Sequence, residues 1–209
     1  MDLLLTDRLT CPRCGPEFGL ILLADRMMDR RVVDGTLGCP NCRDAYPVQA
    51  GFGDLRAAPR KALEPGLAGG PREAEPEQIQ RLAALLGVAR GPGTMALVGG
   101  PAALGISLAA LFEDVEIVGF DADLSVWPEA PRWSRLTSGP GLPIFSRTLR
   151  GVAVDGRLGP AWVVEAARVC ASLARVVVSD APASASSWLR EAGLDVMAVE
   201  DGTVVAARR

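Results

Sequence analysis

Residues 95–112 read MALVGGPAALGISLAALF, a stretch that begins as a strand and ends as a helix, with a glycine-bearing turn between. Continuous apolar runs of this length are what a parallel sheet covered on both faces requires. The alternation continues downstream: VEIVGFD, GVAVDG and RVVVSD read as strands, while GPAWVVEAARVCASLA and SASSWLREAG read as helices. Upstream, EPEQIQRLAALLGVARG places Ile79, Leu82, Leu85 and Leu86 on one helical face, with Pro76 and Glu77 suited to a first turn and Gly87 near the stop. The ending differs in kind. LDVMAVEDGTVVAARR is two strands joined by Asp201-Gly202, so the last strand is expected to run antiparallel to its neighbour.

The chain has 209 residues, 49% of them apolar, enough to bury a core for one medium domain or a domain plus a small module. A net charge of -3 with no basic run gives no electrostatic reason to expect nucleic acid or an anionic membrane as partner. Lys61 is the only lysine, and there is no histidine, which excludes imidazole catalysis, His metal ligands and a Ser-His-Asp triad. The start, MDLLLTDRLT, carries Asp2 and Asp7 around a short apolar run and is wrong for a signal peptide. No segment approaches the apolar length of a membrane span. A cytoplasmic protein is expected, and in that reducing setting closely paired cysteines point to metal rather than disulfides.

Four of the five cysteines form CPRCG (Cys11, Cys14) and CPNC (Cys39, Cys42). A C-x-x-C turn lets two thiolates reach one ion, and two such knuckles complete a tetrahedral sulfur shell. The 24 residues between the pairs suffice for two strands and their connection. Zinc in a structural role fits best, because four thiolates leave no open position for water or substrate; a redox dithiol or an iron cluster are the alternatives. Cys170 falls on the apolar helix pattern and reads as a small buried residue.

The stretches LTCPRCG, GLILL and LGCPNCRDAYPVQAGFGDL together resemble the small zinc-ribbon activator subunits of tRNA, rRNA and release-factor methyltransferases. The resemblance rests on Tyr46, Pro47, Val48, Gly51, Phe52 and Leu55 after the second knuckle and covers about the first quarter of the chain. It implies a module that docks against a methyltransferase domain, hence a protein partner. Gly53 stands where that family has proline, a departure expected to loosen the exit strand. Residues 57–75, AAPRKALEPGLAGGPREAE, are crowded with Pro, Gly and Ala, have no apolar period and read as a linker.

A parallel α/β sheet closed by an antiparallel hairpin resembles the class I S-adenosylmethionine-dependent methyltransferase fold, and SGPGLPIFSRTLRGVAVDG resembles a segment of the ubiquinone-biosynthesis type. The expected architecture is therefore a four-Cys zinc ribbon over 1–56, a linker over 57–75 and a Rossmann-like methyltransferase domain over 76–209. In that family an acid ends the first strand, two positions before a Gly-x-Gly-x-Gly turn. Here Leu97 takes the acid's place, Gly99 the first glycine, Pro101 the second and Ala103 the third; Gly100 and Gly105 supply glycine's freedom only in a shifted register.

Asp121, ending the second strand, stands where the family holds ribose hydroxyls, and the alternative is an aspartate that merely starts a turn. Asp155 and Asp180 end the fourth and fifth strands toward the ligand edge, and Asp123 is expected to face solvent. The family's Gly-Asp falls near Ser138 and Gly139 with Pro140 in place of the acid, and another family aspartate falls on Arg150. Trp127 and Trp133 are expected to cover a sheet edge, with ligand stacking as the other reading. No amine-positioning motif and no catalytic residue is identified.

The cofactor candidates are thus Gly99, Gly100, Gly105, Asp121 and Asp155. The expected function is a methyltransferase-like protein with a degenerate S-adenosylmethionine site acting as a scaffold or regulatory subunit. The alternative is an active methyltransferase on RNA, protein or a small molecule. Gly100 and Gly105 followed by Asp121 also loosely mimic a dinucleotide fingerprint, but a reductase lacks its Tyr-x-x-x-Lys pair or histidine here.

Overall fold

A computed structural model describes residues 1–87 and 91–208. Val88 to Arg90, in the stretch expected to stop the first helix, and Arg209, the end of the expected second domain, lie outside the described residues. The first strands are β1 (Thr10–Cys11), β2 (Gly15–Gly19), β3 (Ile21–Met28), β4 (Arg31–Gly38), β5 (Ala45–Gln49) and β6 (Phe52–Leu55). Then come α1 (Pro76–Leu86), β7 (Gly93–Val98), α2 (Gly105–Leu111), β8 (Val115–Phe120), β9 (Trp133–Ser138) and β10 (Leu149–Asp155). The chain closes with α3 (Pro160–Val169), β11 (Cys170–Ser179), α4 (Ala185–Glu191), β12 (Asp195–Glu200) and β13 (Thr203–Ala207).

β1 and β2 form a hairpin of their own; the other strands make a single sheet in the order β12-β13-β11-β10-β7-β8-β9-β6-β5-β4-β3. The five central pairings, from β11 through β10, β7, β8 and β9 to β6, are parallel. The C-terminal strand β13 runs antiparallel to β11, as the Asp201-Gly202 turn predicts. β6 is the join: Val48↔Gly53 ties it to β5, while Phe52↔Arg135 through Leu55↔Ser138 tie it to β9.

Two apolar layers cover the sheet. One holds Leu9, Leu37, Tyr46 and Leu55 of the ribbon together with Val118, Leu136 and Val152 and the buried faces of α3 and α4. The other packs α1 and α2 over Met95, Leu97, Ile117 and Trp133. Because the first layer runs unbroken from ribbon to α/β sheet, burying it stabilises both parts together. Buried Arg135 adds a polar staple: it donates to Leu124 O at 3.1 Å and also to Trp127 O and Ala50 O.

Several expectations are corrected. Gly53 does not loosen the exit strand; a Cβ there would lie 2.6 Å from Leu136 Cδ2, so the bare position lets β9 close on β6. Three strands, not two, lie between the cysteine pairs, since β2 folds back on β1. The helix expected from Pro101 is split into a 3-10 turn, Gly100–Leu104, followed by α2. Cys170 is not helical: its N–H closes α3 on Ala166 O, its backbone turns extended, and β11 begins. The pairing then jumps from Leu149↔Cys170 to Gly151↔Arg175, so 171–174 bulge out and Leu173 takes φ +63°. Small and apolar residues across that bulge mimic a helical period. Cys170 is fully buried, as its residue type suggests.

Candidate functional site

The two knuckles converge. Cys11 ends β1 and Cys39 follows β4, Cys14 and Cys42 sit on the turns after them, and the four sulfurs all lie within 4.8 Å of one another. Cys11 Sγ is 3.6 Å from Cys42 Sγ, and Cys39 Sγ is 3.8 Å from Cys14 Sγ. These are edge lengths of a tetrahedron with sulfurs about 2.3 Å from its centre. The Cys14 N–H and the Asn41 amide point at Cys11 and Cys14 sulfurs at 3.4 Å and 3.3 Å. Buried Tyr46 places its hydroxyl 3.3 Å from Cys11 Sγ, and Arg13 and Asp44 clip the knuckle tips together at 3.2 Å. Burial opposes ionisation of Cys11, but donors from Tyr46, Cys14 and Arg13 outweigh it and bring that thiol down to about 7. Cys42 goes up to about 12: the Asp44 N–H favours its thiolate, while burial and the three neighbouring thiols disfavour it.

At the carboxyl edge of the parallel strands, the cofactor candidates are all engaged by the chain itself. Gly99 has φ +69°, a conformation glycine adopts freely, and its N–H bonds Phe120 O. A Cβ on Gly99 would lie 2.9 Å from Asp155 Cβ and 3.0 Å from Leu158, with Leu67 at 3.5 Å. Gly100 donates to Asp155 Oδ2 at 3.3 Å. Gly105 opens α2, where a Cβ would lie 2.1 Å from the Trp133 ring, so this glycine clears space for an indole. Leu97 is buried in the α1–α2 layer.

Asp121 is mostly buried, and its two oxygens accept from Asp123 N and Leu67 N, each at 2.9 Å. Leu67 belongs to the segment read as a linker, which has no helix or strand over 57–75. Part of it is a strap. Gly66 N and Gly69 N donate to Asp123 at 2.9 Å and 2.7 Å, and Trp127 Nε1 donates to Gly69 O at 2.8 Å. A Cβ on Gly66 would lie 1.7 Å from Asp121 Oδ1, and Ala68 is buried beside the turn. Burial raises the Asp121 carboxyl above its ordinary range, partly offset by backbone donors from Leu67, Asp123 and Ala68. Asp123 therefore does not face solvent as expected but is clasped by two strap amides.

Asp155 is fully buried and is claimed by Arg157, through its backbone N–H and Nε at 2.9 Å and Nη2 at 2.6 Å. That bond raises the Arg157 pKa further. Asp180, with φ +45°, lies 3.6 Å from the same guanidinium. Arg150 bonds Gly91 O and Pro92 O at the amino end of the sheet, far from the crevice edge. Trp127 and Trp133 are buried in the α1–α2 layer; Trp133 stands on β9, between β8 and β6, and so does not cover a sheet edge as expected. Sequence reasoning missed the strap and Arg157. Its one available signal was the run Gly66-Leu67-Ala68-Gly69-Gly70, where the lack of side-chain bulk permits close approach as readily as flexibility.

Solved structures similar to this chain include geranyl diphosphate methyltransferase in complex with SAM, at 10% identity and a TM-score of 0.50, with 64% of this chain and 85% of that one covered. The fold is that of the class I methyltransferases. Also similar are the complex between the Haloferax volcanii Trm112 methyltransferase activator and a putative methyltransferase, at 12% identity and a TM-score of 0.48 over 61% of this chain and 86% of that one, and the YcgJ protein from Bacillus subtilis, at 11% and 0.48 over 59% and 70%. No family model matches the chain, and no curated protein matches it. Among the described residues no helix is long and apolar enough to cross a membrane.

Proposed function

We propose that this chain is a methyltransferase-fold scaffold or regulatory subunit whose cofactor crevice is closed by its own strap and whose ribbon is held by a structural zinc. The single observation that carries the reading is the bond from Leu67 N–H to Asp121 Oδ2 at 2.9 Å. In the methyltransferase resemblance that carboxylate holds a ribose; here a backbone amide of the same chain has taken the ribose's place. The residues present do not fit S-adenosylmethionine. Leu97 replaces an acid, Pro101 replaces a glycine, and the backbone at Gly99 faces Asp155 and Leu158 rather than space for a ligand.

Magnitudes support this. A nucleoside entering the crevice must break the bonds of Gly66, Leu67, Gly69 and Trp127. At about 1 kcal/mol net for each, the displacement costs roughly 4 kcal/mol, close to a thousandfold in affinity. A micromolar site becomes a millimolar one.

The ribbon fits its group. Cys11, Cys14, Cys39 and Cys42 would hold one zinc ion, and four thiolates fill its tetrahedral shell, so the metal would supply rigidity and no reactive position. A scaffold acts through a protein partner, and a net charge of -3 offers nucleic acid no general attraction.

Titration calorimetry with S-adenosylmethionine tests the reading: the expected result is no binding in the micromolar range. Micromolar binding by the wild-type chain would overturn it and favour an active methyltransferase on RNA, protein or a small molecule.

A further inference from the structure

We propose that the cavity between α1, the carboxyl-end halves of β10 and β11 and the first residue of β13 binds a small amphipathic oxyanion, an apolar body bearing a phosphate or carboxylate. The cavity is open to solvent and holds about 320 Å³, at the lower end of the range of small-molecule sites. It lies on the α1–α2 side of the sheet and does not include the strap or Asp121. The cavity meets the crevice turn at Gly100 and Pro101 but not at Asp121, so the inference goes beyond the crevice reading and its test keeps the two sites apart.

Three observations converge on an anion. Arg72 and Arg81 both line the cavity, and among the described residues neither side chain makes an ion pair or hydrogen bond. Guanidinium groups present a planar fork of donors matched to phosphate and carboxylate oxygens. The one carboxylate in the wall, Asp180, lies 3.6 Å from Arg157 Nη2 and so has a cation of its own. Finally, Ser179 Oγ at the end of β11 is buried and bonded to no group among the described residues. A buried hydroxyl without a partner is costly, and rotation about its Cα–Cβ bond would turn it toward a ligand oxygen in this cavity, which Ser179 lines.

The rest of the wall sets the ligand's other half. Leu82 and Leu85 of α1 face Pro101, Ala153 and Val177 across the cavity, a lining suited to an aromatic or short aliphatic body. Arg72 and Arg81 are exposed side chains, so they are reached from solvent and are replaceable without disturbing the core.

Nuclear magnetic resonance titration of the full chain with phenyl phosphate, benzoate and neutral phenol tests the proposal. The expected result is saturable binding of phenyl phosphate or benzoate at millimolar concentration or below. The Arg72 and Arg81 side-chain signals should shift, and affinity should drop about tenfold or more in Arg81→Gln or Arg72→Gln. Which anion binds tighter identifies the headgroup. Binding should weaken with added salt and persist in Asp121→Ala, which separates this site from the crevice. Equal binding of phenol, unchanged affinity in both arginine variants, or no binding of either anion would overturn it.

Discussion

The ribbon and the crevice stand in one sheet and treat their polar groups in opposite ways. In the ribbon, four sulfurs from two knuckles face one another within 4.8 Å, braced from outside by Tyr46, Asn41 and backbone amides. In the crevice, Asp121 and Asp155 also survive at the strand ends, but each is bonded by its own chain, the first by Leu67 and Asp123 and the second by Arg157 and Gly100. The difference teaches that keeping a residue is not keeping it available. A buried carboxylate must be paired, and at both of these the chain supplies donors.

The comparison breaks most visibly at the metal end. Cys11→Ser, or stripping with a strong chelator, is expected to destabilise the whole chain by at least about 3 kcal/mol, since the ribbon shares its core with the α/β sheet. Thermal denaturation reads this as a loss of roughly 6 to 12 °C with a single transition. A ribbon that melts alone, leaving the rest unchanged, would separate the two regions.

Next comes Gly105→Ala. A methyl 2.1 Å from the Trp133 ring forces the indole to move, costing about 1 to 3 kcal/mol in denaturant unfolding. A change in cofactor affinity without loss of stability would return Gly105 to the ligand side of the comparison.

Gly66→Ala sharpens it further. The added methyl collides with Asp121 and should lift the strap, costing about 1 to 2 kcal/mol while strengthening S-adenosylmethionine binding severalfold. Calorimetry of the variant against the wild type checks both.

The smallest effect is a pH dependence. Burial raises the Asp121 pKa above 3.8, so on acidification from neutral pH the native chain takes up this proton before the unfolded one. Its contribution to stability is therefore greatest below the unfolded value and declines as pH rises through the folded one. As pH rises from the range where the unfolded carboxyl titrates, wild type should lose stability relative to Asp121→Ala, measured as the difference in slope of unfolding free energy against pH.

Much of the fold was legible because its signals are local. Strand and helix periods around residues 95–112 and the Asp201-Gly202 turn each announce themselves within a few residues. The cysteine knuckles are local in the same sense, and only their convergence needed the fold. What stayed hidden is long-range. Leu67 and Asp121 are separated by 54 positions, and nothing in either neighbourhood predicts their bond. Glycine is ambiguous too: Gly66 in the linker, Gly53 in the exit strand and Gly105 among the cofactor candidates carry no local sign that a Cβ at each would crowd Asp121, Leu136 or Trp133. Where α3 turns into β11 at Cys170, a bulge filled with small and apolar residues carried the helical period past its true end.

The most direct measurement is amide hydrogen exchange at Leu67, followed with and without S-adenosylmethionine. A strap that belongs to the folded state predicts a Leu67 N–H protected like its neighbours in the sheet and unmoved by the nucleoside. Fast exchange in the free chain, or release of that amide as the nucleoside binds, would contradict the account.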